Sequence, residues 1–216
     1  MKRILISVIL VISASVAHST TESATAEPSL VAPTKAELSA RGQQIAGAVC
    51  VACHGLDGMS AVSANPNLAG MPSQYIAKQL ELFKSGQRKN ALMQGMSANL
   101  SESDMRALGQ YYFMQRAKPN AKALNKELAD AGQKIYRTGI PESKVPACSG
   151  CHGGAGSGIP ALYPRLAGQW QEYTLGALKN FAAGERKNTQ MQAISGRMRE
   201  KEMQAVAEYI AGMRGG

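Results

Sequence analysis

The sequence predicts an all-α protein built from two tandem copies of one helical unit. Three observations lead to that fold class. Apolar residues recur at helical spacing, as Ile76, Leu80 and Phe83 do within residues 73–85. Continuous β-alternation appears nowhere. The chain also repeats itself at a shift of 98 residues, without a gap from Cys50/Cys148 to Tyr111/Tyr209.

The register carries matched residues along its length. Cys53/Cys151, His54/His152, Gly55/Gly153 and Pro66/Pro164 come first, then Leu68-Ala69-Gly70 against Leu166-Ala167-Gly168. Tyr75/Tyr173, Phe83/Phe181, Arg88-Lys89-Asn90 against Arg186-Lys187-Asn188, Met93/Met191 and Met105/Met203 come after them. Upstream of the cysteines, Gly42-Gln43 pairs with Gly132-Gln133 at a shift of 90, so the second unit carries eight extra residues around 139–146. That stretch is rich in turn formers.

A helix from about Lys35 leads into Cys50, and residues 129–136 play that part in the second unit. Residues 73–85 and 171–183 form the next helix of each unit. Ser101-Glu102-Ser103-Asp104 has the composition of a helix start, with acidic residues in the first turn, and its helix runs through Met105, Leu108 and Tyr112. The units are expected at 36–118 and 127–216, joined by a linker over 119–126 whose clearest break is Pro119-Asn120.

Residues 1–26 have the pattern of an export signal. Lys2 and Arg3 precede an apolar run from Ile4 to Val16 that is short for a permanent membrane span, and small-residue cleavage sites come next at Ala17 and Ala26. An uncleaved anchor is the alternative. Residues 27–35 are expected to be a flexible leader, and the mature protein is expected in the periplasm. The full chain carries a formal charge of +9; cleavage after Ala26 leaves 22 basic and 14 acidic side chains. A basic chain can signal nucleic-acid binding, but no matching motif or aromatic platform is present, so no nucleic-acid partner is expected. A mildly basic surface suits an acidic partner protein. The carboxylate load is low, with three Asp and twelve Glu, which limits acid destabilisation and hints at an acidic habitat.

Cys50-Val51-Ala52-Cys53-His54 and Cys148-Ser149-Gly150-Cys151-His152 are each a Cys-x-x-Cys-His segment, the attachment signature of covalently bound haem c. Two thiols add across the porphyrin vinyl groups, and the adjacent imidazole is fixed beneath the iron. Two covalent haems are therefore the expected cofactors. Competing chemistries fit less well. Paired Cys-x-x-Cys zinc sites lie roughly 15–20 residues apart, whereas 94 residues separate Cys53 from Cys148. A redox dithiol needs a βαβ setting, and disulfides would not explain a histidine after both pairs.

His18, His54 and His152 are the only histidines, and cleavage after Ala26 removes the first. Bis-histidine ligation is then excluded, which makes methionine the candidate sixth ligand. Two methionine pairs survive the 98-residue shift. Met105/Met203 lies within the last helix, in line with Leu108 and Tyr112, and reads as core. Met93 and Met191 are expected in the loop before that helix, free to reach back over a haem face. Met96 is a local rival, but its counterpart is Ile194.

Around the ligands, Pro66 and Pro164 each lie twelve residues after their histidine. A proline carbonyl at that spacing can accept the proximal imidazole N–H, with a simple turn as the alternative. Arg88 and Arg186 are candidates for haem propionates or, equally, solvated charges. Tyr75/Tyr173 and Phe83/Phe181 read as pocket or core packing.

These segments, together with Pro66-Asn67-Leu68-Ala69-Gly70, Pro164-Arg165-Leu166-Ala167-Gly168 and Phe83-Lys84-Ser85-Gly86-Gln87-Arg88, resemble the cytochrome c4 family over residues 36–213. The resemblance implies tandem class I cytochrome c domains related by a pseudo-twofold axis, with propionate edges meeting at their interface. It implies His/Met ligation at both irons and a role as an electron carrier delivering to a membrane terminal oxidase, without a small-molecule substrate. The expected donor is a small copper protein or another cytochrome. The sequence departs from its own repeat where Arg199 replaces Ser101, and where Gln169-Trp170 replaces Met71-Pro72. A dihaem peroxidase is a weaker reading, since no histidine is spare for acid–base work. A dihaem subunit docked on a larger redox enzyme would share the same haem chemistry.

Overall fold

Thr34 caps the first helix in both directions: its hydroxyl accepts from the Glu37 N–H at 3.2 Å, and the Glu37 carboxylate accepts from the Thr34 N–H at 2.7 Å. The structure, a computed structural model, describes residues 32–119 and 125–215. The expected export signal, most of the leader and the middle of the linker lie outside the described residues.

In the first unit, α1 (Lys35–Ile45) passes through a π-helical turn (Ala46–Cys50) into α2 (Val51–His54). A π turn widens the helix by one residue, and here it delivers Cys50, Cys53 and His54 at the helix end. Then come α3 (Ser73–Lys84), α4 (Ala91–Ser97) and α5 (Glu102–Met114). The second unit repeats the order with α6 (Lys126–Thr138), α7 (Ser149–His152), α8 (Gln171–Ala182), α9 (Thr189–Ser195) and α10 (Glu200–Gly212). The described residues contain helices, turns and two isolated β-bridges, and no strand. No described helix is long and apolar enough to cross a membrane.

The eight extra residues of the second unit replace the π turn. The long entry helix stops at Gly139, whose φ of +73° suits glycine. A short loop then closes through Ile140 N–H to the Val145 carbonyl at 2.8 Å and its return bond at 3.1 Å. The chain enters α7 from this loop rather than from a continuous helix.

In each unit the first and last helices cross at a glycine. A Cβ at Gly42 would lie 2.1 Å from the Ala107 carbonyl oxygen of α5, and one at Gly132 would lie 1.9 Å from the Ala205 carbonyl oxygen of α10. Backbones this close need the missing side chain. Around the first crossing, Ile45, Ile76, Leu80, Met105, Leu108 and Tyr112 form one core. Around the second, Tyr136, Leu178, Met203, Val206 and Ile210 form another. The large side chain comes from opposite helices: Ala46 and Tyr112 share the first core, whereas Tyr136 and Ile210 occupy those register positions in the second, all buried.

Residues Pro33–Gly216 form one compact unit, and the two halves meet with reciprocal contacts. Arg88 Nη2 donates to the Tyr173 hydroxyl at 3.0 Å, and Arg186 Nη2 donates to the Tyr75 hydroxyl at 2.6 Å. The 98-residue shift exchanges these two bonds, which is the mark of a twofold relation between the halves.

Filling either crossing with a methyl group should separate the helices. Gly42→Ala and Gly132→Ala are each expected to lower holoprotein stability by about 1–3 kcal/mol, the range for overpacking. Denaturant unfolding followed by circular dichroism reads this directly; unchanged midpoints would show that the crossings are looser than the structure indicates.

Candidate haem-binding sites

His54 and His152 close the short helices α2 and α7, and each is followed by a glycine at positive φ (Gly55 at +71°, Gly153 at +81°). The chain turns there without a Cβ penalty and returns past its own imidazole. It reaches Pro66 and Pro164, whose carbonyl oxygens each lie 2.9 Å from the histidine Nδ1. A carbonyl only accepts, so Nδ1 carries the proton, leaving the Nε2 lone pair free for iron. Both rings are buried. Burial pushes each imidazole pKa down, against an upward pull from the proline carbonyl, so the neutral form that ligates a metal is favoured.

All four cysteines are free thiols. Cys50 packs on the first core and Cys148 on the second, so the pairs do not converge as in a shared zinc site. Burial raises the Cys50 thiol pKa and pushes that of Cys148 up to about 11. Protonated, partly buried thiols are poor disulfide-exchange centres.

Met93 and Met191 pack against the same two cores as Cys50 and Cys148, respectively. Met96 is 44% exposed, while Met105 and Met203 are 4% exposed within the cores. The structure therefore packs the repeated pair Met93/Met191 on the cores that also carry Cys50 and Cys148, and leaves the local rival at the surface. Their setting differs from the expected loop. Both lie in seven-residue helices, α4 and α9, because Asn90 and Asn188 cap these helices by accepting from the Met93 and Met191 N–H, each at 2.9 Å.

A second pair of residues completes this hold and was not singled out from the sequence. Ser97 and Ser195 are fully buried and donate their hydroxyls to the Met93 and Met191 carbonyls. Each methionine is thus fixed at its N–H by an asparagine and at its C=O by a serine. Ser97/Ser195 obey the 98-residue shift; that register was the available signal, obscured because serine in a polar loop ordinarily carries no meaning.

Arg88 and Arg186 lie at the junction of the halves, each with its guanidinium over an aromatic ring of its own unit: Arg88 is 4.4 Å from the Phe83 centroid, and Arg186 is 4.5 Å from that of Phe181. Gln79 Oε1 accepts from Arg88 at 2.7 Å and from Arg186 at 3.1 Å. Tyr75 and Tyr173, expected as pocket or core packing, spend their hydroxyls across the interface on these cations. Among the described residues, neither arginine pairs with a carboxylate, although Arg186 is only 9% exposed. Buried cations without anions are costly, so the junction suits the four propionates of two haems. A further feature fits the same group: the Tyr112 hydroxyl is buried beside the Cys50 thiol, with no oxygen or nitrogen partner. Tyr136, which fills the matching space, donates to the Gly153 carbonyl at 2.6 Å.

Both units match known proteins. The family described as "Cytochrome c" matches residues 39–115 and 129–214. Cytochrome c4 of Thiocapsa roseopersicina is 40% identical over 177 residues, covering 80% of this chain and 91% of its own. A protein of Stutzerimonas stutzeri strain A1501 named thiosulfate dehydrogenase electron acceptor is 38% identical, covering 79% of this chain and 81% of its own. The crystal structure of reduced recombinant cytochrome c4 from Pseudomonas stutzeri superimposes with a TM-score of 0.77 at 34% identity, over 82% of this chain and 98% of that one.

The serine brace has a measurable weight. Ser97→Ala removes one buried hydrogen bond worth about 1 kcal/mol, so hydrogen-exchange protection of the α4 amides should fall roughly fivefold while α9 is unchanged. Ser195→Ala should do the reverse. Equal protection in wild type and variants would show that the hydroxyls do not brace these helices.

Proposed function

Since this chain belongs to the cytochrome c4 family of tandem cytochrome c domains, we propose that it is a periplasmic electron carrier with two His/Met haems, transferring electrons by an outer-sphere path. The observation that carries this reading is the duplicated site: each Cys-x-x-Cys-His segment has its imidazole on a proline carbonyl and a braced methionine on the same core as its first cysteine. Haem c, when bound, supplies a one-electron iron couple at each site.

The protein's residues would do the rest. Cys50 and Cys53 hold one haem, and Cys148 and Cys151 hold the other, so neither can dissociate. His54 and His152 would offer Nε2 to the irons, their rings oriented by Pro66 and Pro164. Met93 and Met191 would supply a thioether to each iron; such a ligand raises the reduction potential and denies the iron to substrates, both of which suit a carrier. Arg88 and Arg186 offset propionate charge where the halves meet. This arrangement brings the two sites together through one junction, so an electron enters at one unit and leaves from the other.

The electron enters from a small copper protein or another cytochrome and leaves for a membrane terminal oxidase. The N-terminal export pattern supports a periplasmic place. A second reading has one specific observation behind it, the relative named as a thiosulfate dehydrogenase electron acceptor. In that reading the chain docks on a larger redox enzyme and receives its electrons directly. Size-exclusion of the native protein separates the two, since a stable heterocomplex favours the second.

Near-infrared magnetic circular dichroism of the oxidised protein tests the ligation. Methionine-to-iron signals from both haems are expected, and Met93→His or Met191→His should each remove half of that signal and lower the potential of one haem. A bis-nitrogen or high-spin wild type would contradict the carrier assignment.

A further inference from the structure

Two adjacent residues where the second half departs from its own repeat, Gln169 and Trp170, both reach into the first half. Trp170 Nε1 donates to the Ser60 carbonyl at 3.1 Å. Gln169 does more. Its Oε1 accepts from the Asn67 N–H at 2.9 Å, and its Nε2 donates to the Asn67 carbonyl at 3.0 Å. Asn67 returns a bond from Nδ2 to the Gly168 carbonyl at 2.9 Å. Gln169 is 3% exposed and Asn67 5% exposed, so this clamp is buried.

The Asn67 N–H belongs to the same peptide group as the Pro66 carbonyl, and that carbonyl is the one that holds His54. The two ends of an amide are conjugated. A bond accepted from its N–H moves electron density onto its oxygen, which then accepts more strongly at the other end. A stronger acceptor at Nδ1–H gives the imidazole more anionic character, and that favours the oxidised iron. Gln169 thus lies two hydrogen bonds and one peptide from the proximal nitrogen of the other half's histidine. Low local dielectric increases the effect.

The 98-residue shift shows that this device is one-sided. The counterpart of Gln169 is Met71, and that of Asn67 is Arg165. A thioether offers no amide oxygen to the peptide after Pro164. His152 keeps its bond to Pro164 at the same 2.9 Å, without a glutamine from the other half behind it.

We propose that Gln169 is a positioning residue of the C-terminal half that strengthens the His54–Pro66 hydrogen bond through the Pro66–Asn67 peptide and so lowers the reduction potential of the N-terminal haem relative to the C-terminal one. The inference rests on the axial role of His54 proposed above. It gives the pair of otherwise matched sites a direction, because an electron is held less tightly at the N-terminal iron.

The test uses full-length holoprotein with the variants Gln169→Leu and Gln169→Glu. Spectropotentiometric titration gives the two midpoints, and NMR of the reduced protein gives the His54 and His152 Nδ1–H resonances. Gln169→Leu removes the acceptor and should raise the N-terminal midpoint by roughly a threefold change in its reduction equilibrium, about 28 mV at 59 mV per tenfold. The His54 Nδ1–H resonance should move upfield while that of His152 stays in place. Gln169→Glu, a stronger acceptor of the same shape, should shift the N-terminal midpoint the opposite way. If both variants move both haems alike, or leave the N-terminal midpoint and His54 unmoved with ligation intact, Gln169 is interface packing alone and the inference is overturned. If wild-type spectra show no iron-bound His54, the axial assignment falls first and takes the inference with it.

Discussion

A histidine can bind iron through one nitrogen only if the other is dealt with, and in both halves of this chain a proline carbonyl at 2.9 Å from Nδ1 does so. That bond sets three things together. It fixes the tautomer, it fixes the plane of the ring, and it obliges the segment after each Cys-x-x-Cys-His to turn back on itself. The positive-φ glycines at 55 and 153 allow that return. Two more glycines shape the returning segment: Gly58 and Gly156 carbonyls accept from Leu68 and Ala69, and from Leu166 and Ala167, which ties down the Leu-Ala-Gly segments just past the prolines. The helix crossings at Gly42 and Gly132 supply the rigid base on which each loop is mounted. A side chain poised by such a scaffold keeps its orientation through a redox change, which is what an electron carrier asks of its ligands.

Duplication makes the two sites alike; the interface makes them different. The reciprocal Arg88–Tyr173 and Arg186–Tyr75 bonds preserve the twofold relation. Gln79 breaks it, since it accepts from both arginines while its counterpart is Ala177. Gln169, Trp170 and Asn67 break it further. The phenol near the first cysteine also comes from the last helix in one half and from the first helix in the other, and of the two only Tyr136 bonds a backbone carbonyl. The two copies thus have unequal surroundings at His54 and His152 and at Cys50 and Cys148. The irons need differ by little for this to matter, because a tenfold shift in a one-electron equilibrium is about 59 mV.

Much of this was legible in the sequence because repetition filters coincidence. A single methionine among eleven says nothing, but one that recurs at 98 residues with an asparagine before it says a good deal. The same filter found Pro66/Pro164, and helical alignment with Leu108 and Tyr112 marked Met105/Met203 as core, which their burial bears out. What it could not show was contact between the halves. Tyr75 and Tyr173 looked like packing because a sequence reveals which residues match, not which ones face each other across a twofold axis. Met93 and Met191 looked like loop residues because a seven-residue helix is too short to show periodicity; its evidence is a cap, Asn90 or Asn188, and a buried serine one turn on. From the sequence, Gln169-Trp170 stands out only as a departure of the second unit from the repeat. Gln169 in fact contacts the first half, since the residue that departs from the repeat lies in one unit and its partners lie in the other.

Everything at the two sites turns on whether each imidazole is held to iron by a hydrogen bond from Nδ1–H to its proline carbonyl. Nitrogen-15 and carbon-13 labelled, fully reduced holoprotein allows that bond to be observed by scalar coupling across it. Two protonated Nδ1 resonances are expected, one coupled to the Pro66 carbonyl carbon and one to that of Pro164. An unprotonated Nδ1, or a ring coupled to a different carbonyl in either half, would contradict that hold.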